Sequence, residues 1–136
     1  MGMANKLIQL TDGTDNLYPM ADVEGAWSPQ IYDYNTLIKT LTNVGSYVRI
    51  GHMVFMWFNV RIDDTLTIGT MLQIRGFPFS NIRILGGNVY IASIANQGGD
   101  RTIQFTTDSL YIRPNITGTI SGGGWWSAFI VGWVAI

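Results

Sequence analysis

Residues 53–62 read Met-Val-Phe-Met-Trp-Phe-Asn-Val-Arg-Ile. Side chains alternate across a strand, so a strand here places Val54, Met56, Phe58, Val60 and Ile62 on one face. Met53, Phe55, Trp57, Asn59 and Arg61 fall on the other, aromatic at one end and polar at the other. A strand apolar on both faces calls for cover on both, from a second sheet or from a partner subunit.

The flanking sequence continues the strand pattern. Residues 47–50 alternate, and Gly51-His52 predicts a tight turn before Met53. Asp63-Asp64 predicts the turn after Ile62. Residues 66–74 carry further β-type side chains, interrupted at Gly69-Thr70. Pro78 lacks an N–H, so Gly76-Phe77-Pro78-Phe79 breaks the ladder. Further strands are expected at residues 82–85, 89–95, 102–106 and 110–113, with turns at Gly86-Gly87, Gln97-Gly98-Gly99-Asp100 and Thr107-Asp108. Ser121-Gly122-Gly123-Gly124 precedes residues 125–136, which carry no charge and should lie in the middle of a sheet. Leu37, Ile38 and Leu41 have helix-like spacing, but Thr36, Thr40 and Thr42 favour a strand. Many short strands with regular turns predict an all-β antiparallel sandwich, with a jelly roll the leading form because its packing protects sheet edges.

A chain of 136 residues suits one domain with a real core. Its beginning reads differently. Thr11-Asp12-Gly13-Thr14-Asp15-Asn16 is a cluster of turn formers, and Pro19 biases Tyr18 to an extended conformation. The expected division is an extended arm and linker over residues 1–24 and a head domain over residues 25–136. Such an arm cannot make a core alone. It is expected to attach to another protein, with Leu7, Ile8, Leu10 and Tyr18 as its contacts.

Charged residues make up 12% of the chain and hydrophobic ones 47%, against about 25% charged in an average soluble domain. The surface is therefore either uncharged polar or hidden in subunit contacts, and both are expected. A net charge of −1 and the lack of any Lys/Arg run leave no footprint for nucleic acid or anionic lipid. The absence of cysteine excludes disulfides, zinc–thiolate sites and thiol nucleophiles. The longest apolar stretch falls short of the about 20 residues of a spanning helix, so membrane insertion is not expected. Met1 to Leu10 has no apolar run of signal-peptide length.

His52 is the only histidine, beside Gly51 in the expected turn, and its structural reading is as a turn or strand-edge side chain. Asp63 and Asp64 are adjacent, so they point apart, whereas glycosidases need two carboxylates facing across a sugar. Nothing in the sequence favours pairing either with Glu24, Asp100 or Asp108. Gly122-Gly123-Gly124 lacks the Lys-Ser/Thr of a phosphate loop and instead suits a tight turn or close backbone approach. No catalytic residue, metal or cofactor is expected. Trp27, Trp57, Trp125, Trp126 and Trp133, with Tyr32, Tyr34, Tyr47, Tyr90 and Tyr111, are many aromatics for this length. Most belong in the core or an interface, and exposed ones can stack on sugar rings. Trp125 and Trp126 point to opposite faces. The candidate ligand-binding residues are Trp125, Trp126 and Tyr111.

Three segments carry a resemblance. Gly25-Ala26-Trp27-Ser28-Pro29 resembles a Gly-x-Trp-Thr/Ser-Pro signature that starts the first strand of many bacteriophage tail-fibre and receptor-binding head domains. The second runs from Gly45-Ser46-Tyr47-Val48-Arg49 through Ile50-Gly51-His52-Met53-Val54. It is similar to their Gly-x-Tyr-x-Lys-Ile-Gly-Asn-x-Val block, with Arg49 for Lys and His52 for Asn. Ile74-Arg75-Gly76-Phe77-Pro78-Phe79 is similar to their Ile-x-Gly-Leu-Pro-Phe, with Phe77 for Leu. Order and spacing agree over residues 25–136, and a Trp-rich apolar last strand is also typical. The resemblance implies a homotrimer of β-sandwich heads, assembled in the host cytoplasm and exposed on the virion. It implies binding of a host-surface glycan or other receptor without catalysis, and an arm docked on another virion protein. No shaft separates arm and head here, so a purely structural head fibre, capsid-decorating or tail-joining protein is the alternative. A small glycan hydrolase is the third.

Overall fold

The computed structural model describes residues 9–11, 17–19, 22–91, 102–106, 108–113 and 116–135. These residues form antiparallel β structure with no helix. The strands are β1 (Gln9–Thr11), β2 (Leu17–Pro19), β3 (Asp22–Trp27), β4 (Gln30–Asp33), β5 (Thr36–Thr40), β6 (Gly45–Ile50) and β7 (Met53–Ile62). They continue as β8 (Leu66–Ile68), β9 (Leu72–Arg75), β10 (Arg83–Ile91), β11 (Thr102–Thr106), β12 (Ser109–Arg113), β13 (Gly118–Ile120) and β14 (Gly124–Trp133).

Two five-stranded sheets carry the body, ordered β10-β14-β7-β6-β3 and β11-β12-β9-β4-β5. The pairs β1-β2 and β8-β13 form small ribbons. Val54, Met56 and Phe58 of β7 and Trp126 and Ile130 of β14 share one buried cluster with Ile31 of β4, Leu72 and Ile74 of β9, and Leu110 and Ile112 of β12. One core fed by alternating residues of two sheets is a sandwich-like arrangement. Val54, Met56, Phe58 and Ile62 are all buried, as the period-2 pattern requires. The uncharged β14 does lie inside a sheet, paired with β7 along one side and β10 along the other.

The three segments behind the resemblance meet in space. Trp27 ends β3, and Ser28-Pro29 carries the chain from the first sheet to β4 in the second. The Gly-x-Trp-Ser-Pro segment thus closes this strand rather than starting it, because Pro29 sits at the sheet-to-sheet corner. Trp27 pairs with Gly45 across the ladder. Its indole lies on that glycine so closely that a Cβ there would sit 2.4 Å from Nε1. Nε1 donates to the Ser46 carbonyl at 3.0 Å. The ring meets Phe58 at 6.0 Å, edge-on, and Phe77 at 5.5 Å. Two pairs along, on the same face, Tyr47 covers Gly25 and packs edge-on against Phe79 at 5.3 Å. Gly76 has φ of 86°, and a Cβ there would lie 2.5 Å from the Ser28 carbonyl. Each glycine is a seat for a ring or for backbone from another segment.

Two expectations change. Gly86-Gly87 is no turn: β10 runs through it with a bulge between Ile84 and Gly86. Gly87, at φ 148°, lets β10 close on β14, where a Cβ would meet the Phe129 carbonyl at 2.2 Å. Residues 36–40 form the strand that their threonines favour, and β5 pairs along β4. The body sheet begins at Asp22, so β3 takes in the last residues of the expected 1–24 arm. In the arm, β1 and β2 pair with each other in a hairpin. The turn expected at residues 97–100 lies outside the described residues. Gly122 does serve close approach: a Cβ there would meet the Asp63 carbonyl at 2.0 Å, and Gly123 N–H donates to Ile62 O at 2.7 Å.

Gly45→Ala should cost roughly 1–3 kcal/mol, the usual range for overpacking. In a Trp27→Ala background the same change should cost far less, because its clash partner is gone. Urea denaturation of the four proteins measures the coupling, and additive losses would refute the interlock.

Candidate functional site

The outer faces of the two sheets differ in chemistry. On the β10-β14-β7-β6-β3 face, cross-strand rows bring Val48, Phe55 and Val131 side by side. Ile50, Met53 and Trp133 form the next row, and Ser46, Trp57 and Phe129 another. Trp57 and Phe129 are directly opposed and remain 40% and 47% exposed. Polar residues surround this centre: Glu24, Asn59, Arg61, Asn88 and Ser127. Beside Trp57 a shallow hollow of about 310 Å³ is lined by Glu24, Ser46 and Val48.

Trp125 sits on this outer face opposite Arg61 and is 51% exposed. Trp126, also expected to be exposed, is 1% exposed. The alternation that turns Trp125 outward turns Trp126 into the core, so Trp126 is withdrawn as a ligand-binding candidate. Tyr111 is half-buried on the outer face of the other sheet. These three residues do not come together. Leu7 and Ile8 lie outside the described residues, while Leu10 and Tyr18 are opposed in the β1–β2 ladder.

His52 Nδ1 lies 2.7 Å from the Val134 carbonyl, which only accepts, so Nδ1 is the donor. Its ring stacks on Trp133 at 4.7 Å, and Arg83 lies 5.8 Å from the same indole. Arg49 donates to the Gly51 and Ala135 carbonyls. This group fastens the end of β14 to the β6–β7 turn. Asp63 pairs with Arg61 at 2.9 Å, and Asp64 pairs with Lys39. Each carboxylate thus faces a cation rather than the other.

The second outer face is polar and internally bonded. One row across β12, β9, β4 and β5 reads Tyr111, Gln73, Tyr32, Leu37. Next to Tyr32, Asp33 ties the β4–β5 hairpin to the loop before β9. Oδ1 accepts from Thr70 N at 2.9 Å and Met71 N at 3.0 Å, and Oδ2 accepts from Gly69 N at 2.8 Å. The hydrogen bond from Met71, with those from Gly69 and Thr70, holds this carboxyl below the usual carboxylate range, against the opposing effect of partial burial. Sequence reasoning missed Asp33, Tyr34, Gln73 and Arg75. The available signal was the turn pair Asp33 and Asn35 between β-type residues.

Comparisons with protein-family models, curated proteins and solved structures found no match. No helix among the described residues is long and apolar enough to cross a membrane.

Because the native pKa of Asp33 is lowered, its contribution is fully present above the unfolded value of about 3.9 and is lost as pH falls through the native value. Asp33→Asn should lower stability near neutral pH by about 1–2 kcal/mol. The gap to wild type should narrow below about pH 4. Urea unfolding across pH tests this, and a gap that stays constant would contradict it.

Proposed function

We propose that this chain is a bacteriophage virion fibre or spike protein whose head is a homotrimer and binds a host-surface glycan or other receptor without catalysis. The observation that carries the proposal is the outer face of the β10-β14-β7-β6-β3 sheet, with its apolar centre and polar rim. Such a face on a single chain invites cover, and its anatomy is that of an interface core with a rim. Covering it with other copies also accounts for a chain with 12% charged residues. The resembling segments add support, since Trp27, Gly45, Tyr47, Phe77 and Phe79 form one packed unit. The proposal includes a jelly-roll form for the sandwich. In its favour, the connections β3–β4, β5–β6 and β10–β11 all pass from one sheet to the other. Three weak sites on one head would bind a repetitive surface with avidity.

A purely structural virion role is the second reading. The β1–β2 ribbon favours it, because among the described residues it pairs with neither body sheet and so offers a separate attachment element.

Light scattering behind size exclusion should give three times the chain mass. Phe129→Arg with Trp57→Arg should lower that mass while circular dichroism still shows β structure. A monodisperse wild-type monomer would overturn the trimer. A trimer that binds no host or non-host cell surface would leave the structural reading in place of the adhesin.

A further inference from the structure

Among the described residues Arg75 is a fixed cation without a counter-ion. Its guanidinium lies 4.3 Å from the centre of the Tyr32 ring. Nε and Nη2 donate to Gln73 Oε1 at 2.9 and 2.7 Å. Nη2 also donates to the Tyr34 carbonyl at 3.0 Å and to Asn35 Oδ1 at 3.4 Å. All of these acceptors are neutral. Among the described residues no carboxylate pairs with Arg75 and Nη1 has no hydrogen-bond partner. Asp33, between Tyr32 and Tyr34 in sequence, accepts three backbone N–H groups. Gln73 is 1% exposed, so the acceptor that grips the fork is itself held in place. Lys39 and Arg61, by contrast, are each neutralised by an aspartate.

Tyr34 is the second observation. It has φ of 53°, a left-handed conformation that a bulky side chain rarely adopts and that glycine or asparagine usually fills in a hairpin turn. Its N–H donates to the Met71 carbonyl at 2.8 Å, and its own carbonyl accepts from Arg75. The backbone is pinned on both sides while the ring stays 52% exposed. Strain kept at an exposed aromatic whose own carbonyl holds a cation points to a task for that ring.

A guanidinium held over a ring with an N–H edge left over suits an oxyanion, either carboxylate or phosphate. A tyrosine ring beside it offers an apolar surface to the C–H face of a sugar. We infer that Tyr32, Tyr34 and Arg75 form a subsite for an anionic saccharide unit, a hexuronate or a hexose phosphate. The anionic group meets Arg75 Nη1 and the sugar ring packs on Tyr34. The subsite rests on the adhesin reading and gives it a ligand class. It lies on the outer face of the second sheet, away from the apolar face assigned to subunit contact. Of the aromatics singled out for ligand binding in the sequence, Tyr111 shares this face.

The test is an NMR titration of the full chain with glucuronate, glucose 6-phosphate, glucose and inorganic phosphate. Glucuronate or glucose 6-phosphate should shift the Arg75 Nε–H and the Tyr34 and Asn35 amides, and which of the two does so identifies the anion. Glucose should shift none of them, and phosphate alone should bind at least about tenfold more weakly than the anionic sugar. Arg75→Gln should weaken binding at least about tenfold. Tyr34→Gly, whose backbone suits the left-handed turn and so keeps the fold, should weaken binding of the sugar but not of phosphate. Equal binding of phosphate and the anionic sugars, or no shift at these groups in a folded protein, would overturn the subsite. Whole-cell binding by that same protein would then show that the adhesin reading survives without it.

Discussion

The seating of Trp27 on Gly45 is the contact on which the rest of this sandwich depends. Trp27 ends β3 just before the chain crosses to the second sheet, so the indole works at the corner joining the layers. Its Nε1–H reaches the Ser46 carbonyl, which satisfies a polar atom that burial would otherwise strand. Its flat faces and edges then set where Phe58 and Phe77 can lie. Gly45 makes this possible by having no Cβ. Two pairs along, Tyr47 on Gly25 repeats the device, which aligns Phe79 and Arg49 behind it. A ring from one strand on a glycine of the next fixes register as firmly as the hydrogen-bond ladder, because a one-residue slip would drive a side chain into the indole.

From that frame the two outer faces take opposite characters. The face over β7 and β14 is a patch of aromatic and aliphatic side chains with its polar groups pushed to the edge. The face over β9 and β4 is a bonded surface in which Gln73 and the Tyr34 carbonyl accept from Arg75, while Asp33 accepts from the loop before β9. The first gains by excluding water. The second gains little from a dry partner, since its charged groups would lose solvation for no new bond. The two faces therefore differ in what they would gain from being covered.

The charged residues are mostly used for fastening. Lys39–Asp64 and Arg61–Asp63 hold strand ends and loops, and Arg49 with His52 holds the end of β14. His52 donates to a backbone carbonyl and stacks on Trp133. Among the described residues Arg75, like Arg49, is held by neutral acceptors and meets no carboxylate.

Much of the architecture was legible in the sequence. Alternation from Met53 to Ile62 set the two faces of β7, and the adjacency of Trp125 and Trp126 required that they part, because side-chain direction in a strand is local geometry. The glycine run at residues 122–124 announced a close backbone approach for the same local reason. Which of the two tryptophans went inward was a tertiary decision, since both faces of β14 are apolar and only the position of the second sheet distinguishes them. The continuity of β10 through Gly86-Gly87 was also tertiary, because the hydrogen bonds of β14 compensate for weak local preference. The cluster at Asp33, Tyr34, Gln73 and Arg75 draws on the β4–β5 hairpin, the loop before β9 and β9 itself, which only the fold brings together. Pattern along the chain determined which side chains share a face. The stacking of sheets decided which face meets water, because burial depends on what lies opposite and not on what lies next in sequence.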